Sequence, residues 1–150
     1  MAYWLMKSEP DVFSIDDLAR VGTEPWDGVR NYQARNMLRD QMQVGDEVFF
    51  YHSNCDIPSI VGVAQVVRAG YPDDSAMNPE SPYYDPKHTN DKPRWYRVDV
   101  AFTRQFKHPI SLAQLRAQTA LQNMPLVQKG NRLSVMPVSD TEWQTILAMD

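Results

Sequence analysis

A mixed α+β fold, in which a mixed or closed sheet is decorated by short helices, is predicted from three features of this sequence. Five apolar, aromatic or β-branched runs recur along the 150 residues. Between them stand Ser-x-x-Asp/Gln/Glu tetrapeptides that start helices by reciprocal capping. No repeat, low-complexity tract or linker divides the chain, so residues 1–150 read as a single domain large enough to bury a core.

The elements follow in order. Tyr3 to Lys7 is a compact aromatic and aliphatic run, predicted as the first strand. Ser14-Ile-Asp-Asp17 opens a short helix, with Ile15 and Leu18 at helical spacing. Pro25-Trp26-Asp27-Gly28 reads as a turn, and Tyr32 to Asp40 has helix-forming composition. After a turn at Gln43–Asp46, Glu47 to Ser53 is predicted as a buried strand, and Ile60 to Val67 as the next, with Gly62 a bulge or close-approach point. Residues 71–93 hold five prolines, five acidic residues and two asparagines, the composition of a long functional or mobile loop. Trp95 to Phe106 resumes strand alternation, with Tyr96, Val98, Val100 and Phe102 on one face. Ser111-Leu-Ala-Gln114 is another capping box. Arg132 to Val138 is a last strand stopped by Pro137, and Ser139-Asp-Thr-Glu142 opens a helix bearing Trp143, Ile146 and Leu147.

Charge and cysteine content narrow the function. The net charge of −4 argues against a sequence-blind nucleic-acid binder held by phosphate neutralisation alone. Yet all 19 acidic residues lie outside Val100–Ser139, which carries Arg104, Lys107, Arg116, Lys129 and Arg132. That segregation either builds one positive face or is mixed away by folding. The one cysteine, Cys55, fits a reducing cytoplasm, and no apolar run approaches the roughly 20 residues of a membrane span.

Catalytic and metal templates are absent. His52 and Ser53 are adjacent on a strand and point to opposite faces, against a direct base–nucleophile pair. No phosphate-binding glycine pattern or nucleophile elbow occurs. His52-x-x-Cys55 is the only close ligand pair and nothing completes it, while Asp73, Asp74 and Glu80 read as a solvated acidic loop. No cofactor and no metal are expected.

Recognition of a planar ring fits the residue types better. Single bases are read by stacking on aromatic side chains and by hydrogen bonds to the base edge. Trp26, Tyr51, Tyr83, Tyr84 and Trp95 are aromatic candidates; Asn31, Gln33, Ser53 and Asn54 are edge readers. Arg30, Arg35 and Arg39 suit backbone phosphates. The same chemistry leaves a second reading open, in which Trp26 is a core plug beneath its turn and the arginines pair with Asp27 and Asp40.

The segments YWLMKSEP, SIDDL, WDGVRNYQARN, GDEVFFYHSN, IVGVAQVV, YYDP, PRWYRVDV and GNRLSVMPVSDTEW together resemble the EVE domain family of the PUA-like superfamily, a distant relative of YTH domains. The likeness runs in order over essentially the whole chain and is weakest in residues 71–93. It implies a PUA-like mixed β-barrel of about five to six strands with short peripheral helices. It also implies a non-catalytic module that reads a methylated or hydroxymethylated base flipped into an aromatic pocket. Modified DNA is the favoured partner and RNA the alternative; in bacteria such domains accompany restriction or defence systems. By the same resemblance Lys7 and Ser8 line the pocket and Trp26 stacks on the base. Asn31 reads its edge, Tyr51, His52 and Ser53 form a wall, and Trp95 is a second aromatic. Lys129 and Arg132 join Arg30 and Arg35 as phosphate contacts. Two other classes compete. One is an enzyme acting on a modified nucleotide, with His52, Glu9 or Asp27 as acid or base. The other is a small-molecule sensor or interaction domain using the same pocket.

Overall fold

The computed structural model describes residues 1–150. Six strands form one sheet: β1 (Tyr3–Ser8), β2 (Thr23–Pro25), β3 (Glu47–His52), β4 (Ser59–Pro72), β5 (Tyr96–Ser111) and β6 (Val135–Val138). Their hydrogen-bonded order is β2-β5-β4-β3-β1-β6. Only β1 and β3 run parallel, Trp4 opposite Val48 and Lys7 opposite Tyr51; the other pairs are antiparallel. Four short helices attach to it: α1 (Ile15–Val21), α2 (Tyr32–Asn36), α3 (Leu112–Arg116) and α4 (Asp140–Leu147). The expected mixed α+β architecture is therefore present. No helix is long and apolar enough to cross a membrane.

β1 and β3 read as continuous apolar runs because both of their faces are covered. Trp4, Met6, Val48 and Phe50 point into one cluster, which also takes Ile15 and Leu18 of α1, Ala34 of α2, Val98 and Val100 of β5, and Trp26. Leu5, Phe49 and Tyr51 point the other way, into a cluster with Leu115 of α3 and Trp143 and Ile146 of α4. Trp143 stacks on Phe49 at 3.8 Å between ring centroids, which fixes α4 on that face. Asp46, buried at the start of β3, keeps its charge satisfied by accepting from the Trp4 indole N–H, the Ala2 amide and the Gln43 amide.

The helix starts are as the sequence indicates. Ser14, Ser111 and Ser139 each accept from the amide three residues on, and Asp17, Gln114 and Glu142 each accept from the serine amide in return. α2 continues as a π-helical turn over Met37–Gln41.

Three details differ from expectation. β4 and β5 extend well beyond their apolar runs, to 14 and 16 residues, because long antiparallel pairing with several bulges carries their exposed ends. Pro137 lies inside β6, not at its stop; it is tolerated because β6 is an edge strand, opposite Trp4. Trp26 is not in a turn. It prolongs the edge strand β2, its amide donating to the Val98 carbonyl at 2.7 Å, and the turn comes at Gly28 with φ +81°.

Candidate functional site

A cavity of about 240 Å³ opens where five segments meet. Lys7 and Ser8 come from the end of β1; Glu9, Val12 and Phe13 from the loop that leads to α1. Glu24 to Arg30 bring in the end of β2 and the turn after it, Ser134 precedes β6, and Tyr83 descends from the long loop. Hydrogen bonds hold these segments in place. The Lys7 amide donates to the Ser134 carbonyl, the Ser53 amide to the Ser8 carbonyl, and the Ser8 hydroxyl to the Phe13 carbonyl. Trp26 is 8% exposed and packs edge-on against Phe50 at 5.4 Å, so it belongs to the core and borders the cavity at once.

The long loop is tied to this turn by Arg30 and Asp73. Arg30 donates to the Asp73 carboxylate at 3.0 Å, to the Tyr83 carbonyl at 2.8 Å and to the Val29 carbonyl. Its guanidinium lies between the Tyr83 and Trp95 rings, 5.5 and 5.3 Å from their centroids. Asp73, 0% exposed, also accepts from the Gly28 amide at 2.9 Å and from the Ser75 hydroxyl and amide. Burial opposes its charge, yet the hydrogen bonds from Ser75, Gly28 and Arg30 prevail and hold its carboxyl below the usual range. Trp95 is fastened to the same loop, its indole N–H donating to Asp85 at 2.7 Å. Its amide and that of Arg94 donate to Nδ1 of the buried His88.

The cavity walls are acidic. Glu9, Glu24 and Asp27 face Lys7 and Arg30 around it, but Arg30 is already neutralised by Asp73. Burial and then the neighbouring Asp73 charge push the Asp27 carboxyl up; burial and then Asp27 do the same to Glu24. Burial draws the Lys7 ammonium down. No group of three or more His, Cys, Asp or Glu side chains is arranged to hold a metal ion.

Of the residues singled out from the sequence, Lys7, Ser8, Trp26, Arg30, Tyr83 and the candidate acids Glu9 and Asp27 line this cavity, and the others do not. Asn31 is exposed and caps α2, its side chain accepting from the Ala34 amide. Tyr51 is buried in the cluster on the opposite face of the sheet, where strand alternation sends it; the Lys7 ammonium lies 6.0 Å from its ring centroid. His52 Nε2 accepts from the Ile15 amide at 3.1 Å, so the ring caps α1. Ser53 contributes its amide to the Ser8 carbonyl and stands outside the lining. Trp95 stacks on Tyr32 at 4.9 Å, behind Arg30 and away from the cavity. Arg30 is half-buried and committed to Asp73 and the Tyr83 carbonyl, not free for a phosphate contact. Arg35 donates to Asn36 and the Arg94 carbonyl and lies over Tyr32. Lys129 and Arg132 are exposed and form no ion pair, in the loop that delivers Ser134 to the cavity. The acid-free segment is partly mixed with acids, since Arg104 meets Asp150 at 3.6 Å. Glu24, Phe13, Val29 and Ser134 were not singled out; the acids flanking Trp26 in EPWD were the available signal for Glu24.

Comparison with known proteins gives a consistent result. Human thymocyte nuclear protein 1 is 42% identical over 168 residues, covering 99% of this chain and 74% of that protein. A crystal structure of a protein from Pseudomonas putida superposes with a TM-score of 0.96 at 57% identity, covering 99% of both chains. The structure of human THYN1 in complex with 5-methylcytosine-containing DNA superposes with a TM-score of 0.94 at 42% identity, covering 99% of this chain and 97% of that one. The EVE domain model matches residues 2–149, and with it the chain belongs to the EVE domain family.

Proposed function

We propose that this chain is a non-catalytic reader of a modified base in DNA, taking the base into the cavity beside Trp26 and leaving its backbone on the rim. The observation that carries the reading is Trp26 itself, a tryptophan that is buried in the core and still borders a cavity of about 240 Å³. That volume lies below the range of drug-sized pockets and suits a single ring. The complex of the related human THYN1 with 5-methylcytosine-containing DNA supports the same ligand class. Lys129 and Arg132, exposed beside Ser134, supply the rim with cations for phosphates.

Two of the three acids or bases that a reaction would need are committed elsewhere, and Asp27 has no base or nucleophile paired with it. His52 Nε2 accepts from the Ile15 amide, and Glu9 accepts from the Asn54 amide at 2.6 Å. Binding energetics agree with a reader of moderate affinity. Flipping a base costs a few kcal/mol, stacking returns about 1–3 kcal/mol, and a buried methyl adds about 0.8 kcal/mol.

The test is a titration of duplexes that differ only in one cytosine, unmodified, 5-methylated or 5-hydroxymethylated, with wild type and Trp26→Ala. Loss of the ring is expected to weaken binding by about 10–100-fold, the equivalent of one stacked base. Equal affinity of Trp26→Ala and wild type for every duplex would refute the reading.

A further inference from the structure

The walls of the cavity carry an unusual charge for a protein that meets nucleic acid. Three carboxylates and two cations border it, and most of these groups are committed to other partners. Arg30 is locked onto Asp73 and the Tyr83 carbonyl. Glu9 receives the Asn54 amide. Lys7 is half-buried with its ammonium near the Tyr51 ring. Glu24 and Asp27 remain, on either side of Trp26 in sequence, and neither forms an ion pair. What a ligand meets beside the indole is therefore a pair of hydrogen-bond acceptors that form no ion pair, Arg97 and Arg30 offsetting the Asp27 charge only from a distance.

We propose that Glu24 and Asp27 make this cavity selective for a pyrimidine bearing an exocyclic amine, the cytosine series, over one bearing a carbonyl at the same position. This inference rests on the base-reading function proposed above and adds the edge by which the base is chosen. Carboxylates accept from the N4 amine of cytosine, which offers two N–H donors. Thymine presents a carbonyl oxygen there, so an acceptor meets an acceptor and neither is satisfied out of water. The contrast is stronger at Glu24, which is half-buried, than at the exposed Asp27, because an unsatisfied polar pair there has less solvent to fall back on. The acidic lining further turns away phosphate, so the cavity takes a base whose phosphates lie outside it.

5-Methylcytosine and thymine decide the matter, since they share the ring and the methyl and differ in the amine and the N3 proton. Each is placed opposite an abasic site in an otherwise identical duplex, so that neither leaves a pairing partner on flipping. Wild type is expected to favour 5-methylcytosine by about tenfold or more, as sites built to hold an N–H discriminate against ligands without it. Asp27→Asn and Glu24→Gln, checked for folding by thermal melting, place an amide that donates as well as accepts. At least one of them is expected to bring the preference to within about threefold. Equal wild-type affinity for the two bases, or a preference unchanged in both variants, overturns the proposal. Trp26→Ala separates this from the reading beneath it. If that variant loses both duplexes while wild type binds them equally, the pocket holds a base and only the selectivity is wrong. If it loses neither, the base-reading function itself fails.

Discussion

The hydroxyl end of the Tyr83 ring presses on Gly28 so closely that a Cβ there would lie 2.5 Å from Tyr83 Cζ. Gly28 also has φ +81°, a conformation that side chains rarely adopt. The long loop thus reaches the cavity only because this turn has no side chain. Gly28→Ala is expected to cost about 1–3 kcal/mol from backbone strain and displacement of the ring. The melting temperature should fall by several degrees, and affinity for 5-methylcytosine DNA should fall to the level of Tyr83→Ala. A variant that melts and binds as wild type does would mean that the loop is not held by this contact.

Arg30 and Asp73 form the second tie between loop and turn. Asp73 is fully enclosed, so removing its partner leaves a charge with the more distant Arg97, 3.8 Å away, as its remaining cation. Arg30→Ala should destabilise the protein by about 3 kcal/mol, the low end for breaking a buried pair, because Arg97 compensates in part. Arg30→Lys should recover only a fraction, since one ammonium cannot reach Asp73 and the Tyr83 carbonyl as the forked guanidinium does. Urea unfolding of the two variants measures both values.

The cations proposed to contact DNA should be told apart by salt. Lys129 and Arg132 are exposed and unpaired, whereas Arg30 is half-buried and paired with Asp73. Lys129→Ala and Arg132→Ala are each expected to flatten the slope of log affinity against log salt by about 0.9, with no change in stability. Arg30→Ala should weaken binding through the displaced loop at unchanged slope. A flattened slope in Arg30→Ala alone would return that residue to the phosphate path.

What was legible in the sequence is what local chemistry decides. Ser14, Ser111 and Ser139 announce their helices because cap and partner are three residues apart. The runs at β1 and β3 are visible because burial on both faces leaves an unbroken apolar stretch. β2 escaped notice because three residues, one a proline, carry no alternation; its existence depends on β5, some 75 residues later. Of the residues that the resemblance grouped, Lys7, Ser8 and Trp26 border one cavity, whereas Tyr51, His52 and Ser53 do not form a wall of it, because neighbours in a strand face opposite ways. Arg30 looked free because Asp73, which captures it, is 43 positions distant.

His52 is expected to matter for stability and little for binding. Its Nε2 accepts from the Ile15 amide only while that nitrogen is unprotonated, and burial lowers the pKa of the ring. A histidine whose folded pKa is depressed contributes stability above its ordinary value of 6.5, lost as pH falls below that value. His52→Ala should therefore cost about 1 kcal/mol at pH 8 and progressively less at pH 5. Its affinity for 5-methylcytosine DNA at pH 8 should stay within about twofold of wild type. A larger loss of affinity would place the imidazole in contact with the ligand.

Asp85 gives the long loop its own acid limit. The Trp95 indole first, then the Lys87 amide and Arg94, hold its carboxyl down to about 2 from an ordinary 3.8. A carboxylate depressed in this way stabilises the folded chain fully above its unfolded value, and the contribution disappears as pH falls through the folded one. The contact between Asp85 and Trp95 should therefore be intact at neutral pH and should fail between about pH 4 and pH 2. Asp85→Asn should melt below wild type at pH 7, because a neutral amide accepts the indole N–H more weakly than a carboxylate does. The difference should shrink through that window and be small near pH 2, where about half of wild-type Asp85 is protonated. Melting temperatures of both proteins from pH 7 to pH 2 make the comparison; a gap that stays constant with pH would show that packing around Trp95, not the charge of Asp85, fastens the loop.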